Sequence, residues 1–221
     1  MVVAVLMEEP MDTSTDRAVR ATPEQVERLR AAMAVLDPDL APRLAGPSVA
    51  IAHGHVPDFP RWEVLTIAER GSHPYFRSVA LPRGDTEPVA IVLDGRTDTW
   101  NQLVAGTKVL DPGAARSTVE RYLQFAAGDR RVTVVEATED IPWSSPRTDA
   151  SREVLAEGQA AVEGQVRPGE VVDADGDWRV GLTTVDQDRL LAHEVIIDRG
   201  GAVQRHETET LVTGLLVPIA G

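Results

Sequence analysis

The sequence predicts an α+β protein: helix-on-antiparallel-sheet units, followed by a β-hairpin-rich C-terminal segment. Three observations predict it. Two amphipathic, capped helical stretches each precede segments of period-two alternation, and a punctuating Asp111-Pro112-Gly113 separates them. The last fifty residues consist of β-branched and aliphatic runs broken by Asp and Gly turns. Hydrophobic residues make up 43% and aromatics only 4% of the 221 residues, so the core must rest on Val, Leu, Ile and Ala.

Residues 1–20 read as a flexible tail, with Val2 to Leu6 as an alternative short edge strand. A first unit spans 21–110. Thr22, Pro23 and Gln25 supply an N-cap, a helix-compatible proline and a capping-box partner. Val26, Leu29, Met33 and Leu36 then share one helical face until Pro38. Strands are predicted at Ser48 to Ala52, Trp62 to Ala68, Tyr75 to Leu81 and Val89 to Leu93. Asp94-Gly95 then turns into a returning strand at Thr97 to Leu103.

A second, smaller unit and linker covers 111–170. Ala115, Val119, Tyr122 and Ala126 line a helix, Ser117 and Glu120 form its expected capping pair, and Gly128 stops it. Arg131 to Ala137 reads as a strand, Ile141 to Thr148 as a loop, and Ser151 to Val162 as a helix. Residues 171–221 hold strands at Trp178 to Thr183, Leu190 to Asp198 and Ala202 to Glu207, with a turn at Arg199-Gly200-Gly201. The ending LVTGLLVPIAG is apolar and calls for burial, in its own sheet or against a partner. This segment is therefore expected to complete a partner's sheet if it does not fold back. The expected interface residues are Trp143, in its proline-flanked loop, and Leu211, Leu215, Leu216, Val217 and Pro218.

Thirty-five acidic against 22 basic residues give a net charge of −13, a field that repels nucleic-acid phosphates and anionic membranes. The absence of cysteine excludes disulfides, thiolate metal sites and a cysteine nucleophile. No run reaches the roughly 18 apolar residues of a membrane span, and the start lacks a basic region, so a cytoplasmic location is expected.

Catalytic patterns are sparse. His53 and His55 form the one close histidine pair, and alternation on a strand would put both on one side, as two metal ligands require. No third ligand is fixed by spacing. Asp58 and Glu63 follow, so His53, His55 and Asp58 define a weak general acid/base candidate for a small lyase or isomerase. Neither a G-x-S-x-G elbow nor a phosphate-cradling glycine loop is present. No catalytic residue is assigned on spacing alone.

The stretch from Trp178 to Pro218 resembles the opening of the catalytic β-sandwich of copper- and quinone-containing amine oxidases. Trp178, Val180 and Gly181 match a Trp-x-Val-Gly strand. Leu190 and His193 match a hairpin, Asp198, Gly200 and Gly201 a turn, and Val217-Pro218 a closing step. In that family two small α+β domains precede the catalytic one, as the two units here would. The quinone-forming Asn-Tyr motif, the copper histidines and the catalytic base have no counterparts: Tyr75 and Tyr122 do not follow asparagine. The resemblance thus implies a non-catalytic small subunit of a two-chain tyramine/amine oxidase-like complex. Copper and topaquinone would sit on a larger partner chain, across an interface above about 2,000 Å². The excess of acid would suit a cationic amine. The alternative is a stand-alone cystatin-like domain that binds a small molecule or peptide, with its tail folded back on its own sheet.

Overall fold

A computed structural model describes residues 20–53, 59, 61–69, 75–84, 89–128 and 130–218. Helix α1 (Pro23–Leu36) starts at the expected capping box: Gln25 N–H donates to Thr22 Oγ1 (3.3 Å), and the Gln25 amide oxygen accepts from Thr22 N–H (2.6 Å). Its buried face is Leu29, Ala32 and Met33. Leu36, expected on that face, is 49% exposed, because the helix ends there, with Asp37 N–H bonded to Met33 O.

Strands β1 (Val49–His53), β2 (Trp62–Glu69), β3 (Tyr75–Pro82) and β4 (Ile91–Val92) form one antiparallel sheet in sequence order. Alternation divides its faces. Leu65, Ile67, Val79 and Leu81 pack with Leu29 and Met33 of α1. Val64 and Ala80 point the other way, into a second core.

That second core accounts for the main departure from the expected elements. Thr97 to Leu103 is not a returning strand but helix α2 (Thr97–Val104). Trp100, Leu103 and Val104 recur at helical spacing, and all are buried. Gly95 adopts φ +75°, and Asp94 Oδ1 accepts from Arg96 N–H (3.0 Å) and the Thr99 hydroxyl (2.7 Å), so the Asp-Gly turn feeds a helix.

Helix α3 (Pro112–Ala127) is capped by Asp111, whose Oδ1 accepts from Ala114 N–H at 2.8 Å. The expected Ser117–Glu120 pair is not the cap: Glu120 takes Arg116 at 2.8 Å along the helix flank. Strand β5 (Val132–Val135), helix α4 (Asp149–Val162) and strands β6 (Glu170–Ala174), β7 (Asp177–Asp186), β8 (Arg189–Ile197) and β9 (Val203–Thr213) follow, with short 3-10 turns at Ala41–Ala45 and Thr138–Asp140. Helix α4 starts two residues earlier than expected, because Thr148 and Ser151 form a capping box. Strand β6 was not anticipated.

The second sheet runs β5-β7-β8-β9, all antiparallel. The ten residues of β7 pair with β6 along their first half and β5 along their second. Segments 111–170 and 171–221 therefore share one sheet. Across one face lie α3 and α2, joined by the Trp100 indole N–H to Gly201 O (3.0 Å) and the Trp178 indole N–H to Val109 O (3.2 Å). Asn101 bonds both N–H and C=O of Val203, filling the start of the edge strand β9. On the opposite face Val185 and Leu190 pack with Val162 of α4, Ile141, Leu215 and Val217, with Trp143 against them. Gly214, at φ +78°, turns the chain after β9. Leu215 N–H then bonds Asp188 O, and Ser144 N–H bonds Leu216 O, both at 2.9 Å.

The interface residues expected from the sequence thus lie within this layer. Leu215 and Val217 are buried in the chain's own core, Trp143, Leu211 and Leu216 are half-buried, and Pro218 is exposed. No helix among the described residues is long and apolar enough to cross a membrane.

Candidate functional site

His53 and Glu63 do come together. His53 ends β1 opposite Leu65, so Glu63, two residues earlier on β2, is its diagonal neighbour at 3.9 Å. Gln25 of α1 bridges them: its amide nitrogen lies 3.2 Å from His53 Nε2 and donates to Glu63 Oε1. Arg28 faces Glu63 at 3.5 Å and also donates to Pro82 O. These bonds tie α1 to the sheet. His55 and Asp58 lie outside the described residues, and no group of three or more metal-ligating side chains occurs among the described ones.

The sequence reading passed over a second histidine pair. His193 sits on the helix-facing side of β8, in the same alternation as Leu191, Val195 and Ile197, and is buried. Register sets Thr208 of β9 opposite it and His206, opposite Val195, on the diagonal, with the two histidine rings 5.3 Å apart. From there a chain of contacts crosses the core. Thr184 Oγ1 lies 2.9 Å from His193 Nε2, and His193 Nδ1 lies 3.1 Å from His206 Nε2. His206 Nδ1 lies 3.2 Å from the Tyr122 hydroxyl, which is 3.0 Å from Thr97 Oγ1. Thr208, exposed on β9, reaches both His193 Nδ1 and His206 Nε2.

Proton accounting orders this chain. Thr184 is wholly buried and its hydroxyl has one partner among the described residues, so its hydrogen goes to His193 Nε2. His193 is then an Nδ1–H donor to His206 Nε2, His206 an Nδ1–H donor to Tyr122, and Tyr122 a donor to the half-exposed Thr97. The reverse order would strand a buried hydroxyl hydrogen, at about 1–3 kcal/mol. In the assigned order a proton added to His193 would set its Nε2–H against the Thr184 hydroxyl hydrogen, and one added to His206 would set its Nε2–H against the Nδ1–H of His193. Burial, and after it the neighbouring His206, lower the His193 pKa to about 4, with Asp186 opposing both. Burial lowers that of His206 as well. At neutral pH both rings are uncharged hydrogen-bonding groups, and they organise the face under α3 and α2.

Asp186, at the far end of the same face, is buried. Its Oδ2 takes Arg130 and, at 3.4 Å, Arg189, while Oδ1 has no partner among the described residues. Arg130 reaches round the sheet end to a cavity of about 250 Å³ on the opposite face. Its polar wall is Arg130, Arg131, Thr133 and Gln187; Val185 and Val217 supply apolar wall. The α3–β5 turn that carries both arginines is clamped by Gln124, whose amide accepts from Val132 N–H (3.1 Å) and donates to Arg130 O (2.9 Å). The sequence held one sign of this cavity, the consecutive arginines after a helix stop. What brings Gln187 and Val217 to them is tertiary.

No protein-family model, no curated protein and no solved structure matches this chain.

Proposed function

We propose that the chain is a self-contained, cystatin-like small-molecule-binding domain of two helix-covered sheets, the second of which holds a pocket at the α3–β5 end. The observation that supports this reading is the fate of the tail. Leu215 and Val217 are buried by the chain's own α4 and second sheet, and Val217 becomes a wall of the cavity. A tail that awaited a partner would leave these side chains exposed. The histidine chain serves as the neutral, rigid backing of the fold on the other face. Expressed alone, the protein should be monomeric by light scattering and melt in one cooperative transition. Recovery only as a stoichiometric complex with a larger chain would overturn this reading.

The small-subunit role beside a copper- and topaquinone-bearing amine oxidase-like chain keeps one supporting observation. Strand β9 is an eleven-residue edge that, among the described residues, pairs with β8 alone, beyond the Asn101 contact at its start. Intact-complex mass spectrometry from native cells, with copper counted in the same sample, separates the two readings.

A further inference from the structure

We infer that the cavity beside the β7–β8 turn binds a small organic acid, its carboxylate on Arg131 and Arg130 and its apolar body against Val185 and Val217. The inference rests on the binding-domain reading and names its ligand class. In a chain of net charge −13 the described lining of this cavity holds two arginines and no acid. Arg130 and Arg189 share the single carboxylate of Asp186, and Arg131 is exposed with no acid within ion-pairing distance among the described residues. Asp188, the other acid of the turn, makes no ion pair among them. Two adjacent guanidinium groups on a clamped turn offer the planar forks that suit a carboxylate. Asp186 holds Arg130 in place, so one fork is ordered before any ligand arrives.

Gln187 supplies a second, independent observation. It occupies the hairpin turn at φ +57°, a conformation that glycine or asparagine adopts with less strain, and its side chain lines the cavity. The two-residue β7–β8 hairpin calls for that positive φ, and it sets Gln187 at the pocket rim. Thr133 adds a hydroxyl on the adjoining strand, paired directly with Val185. The size sets the rest. At the ~30 Å³ that a water takes up in the liquid, 250 Å³ holds roughly eight non-hydrogen atoms, the scale of a six-carbon acid. A wall with apolar Val185 and Val217 favours a carbon skeleton over a fully hydrated phosphate.

The test is titration of the intact chain with hexanoate, against inorganic phosphate and hexylamine as probes of the same charge class and the same body. Hexanoate should perturb the backbone amide resonances of Arg131, Thr133 and Gln187, and hexylamine should not. Arg131→Ala should weaken hexanoate about ten- to a hundredfold with the melting temperature unchanged. Gln187→Gly, which relaxes the turn, should raise the melting temperature while weakening the acid. Arg130→Ala is uninformative by itself, since it frees the buried Asp186. Equal affinity in Arg131→Ala, preference for phosphate, or no binding by a folded monomer overturns the acid assignment alone. A chain that is not a folded monomer overturns the binding-domain reading first.

Discussion

The protein carries two places where a histidine meets a polar partner, and they behave as opposites. His53 draws attention in the sequence through its neighbour His55. In the fold it is half-exposed, with Gln25, Glu63 and Arg28 arranged to fasten α1 to the first sheet. His193 is inconspicuous in the sequence. In the fold it is buried, uncharged at neutral pH, and the middle of a chain running from Thr184 to Thr97. The difference lies in solvent. At His53 water can replace any lost partner, so its bonds carry little net energy. Around His193 each donor and acceptor depends on the next one.

The largest break in this comparison should come from truncating each ring. His193→Ala removes a packed ring and leaves the hydroxyl hydrogen of the buried Thr184 without an acceptor, a cost of about 3 kcal/mol. His53→Ala should cost less than about 1 kcal/mol. Urea denaturation of the two variants beside the parent measures both. Equal losses would mean that the buried chain contributes no more than a surface contact.

Acid should sharpen the same contrast. In the unfolded chain histidine binds its proton below about pH 6.5, whereas native His193 does so only near 4. Between those values the unfolded state carries the extra proton, so stability falls as pH falls and the slope ends below about 4. The window spans 6.5 to about 4, which corresponds to about 3 kcal/mol from His193. The lowered pKa of His206 acts in the same direction. Stability measured from pH 7 down to 4.5 should decline in the parent and much less in His193→Gln. A decline unchanged in His193→Gln would place the acid sensitivity elsewhere.

Local signals in the sequence carried most of the fold. The Thr22–Gln25 cap, the stop at Gly128 and the alternation in β2, β7 and β8 are set by neighbours a few residues away, and each appears where the pattern puts it. Helix α2 was misread because Thr97, Thr99 and Trp100 suit strands and Asp94-Gly95 suits a hairpin. The burial of Trp100 against Gly201, 101 residues away, decides the matter. The candidate sites were harder to read for the same reason. His193 looks like one more position on an apolar face, and His206, Tyr122 and Thr184 are brought to it by register and by α3. The cavity joins Arg131, Gln187 and Val217 from three distant segments.

The smallest expected effect tests the direction of the hydrogen-bond chain. Tyr122→Phe keeps the ring that packs edge-on against Trp100 (5.5 Å between centroids) and removes only the hydroxyl between His206 and Thr97. The His206 Nδ1–H would lose its acceptor, but His206 is half-exposed, so water can approach and the cost should stay near 1 kcal/mol. A change of tautomer would turn an Nε2–H toward the Nδ1–H of His193 and leave it only the exposed Thr208 hydroxyl as acceptor. Nitrogen-15 spectra of the histidine rings at pH 7 should therefore show Nδ1–H at both His193 and His206, in the parent and in Tyr122→Phe alike. An Nε2–H tautomer at His193 would reverse the chain. Thr184 would then need an acceptor of its own in the buried core, and the cost of His193→Ala would have to come from packing alone.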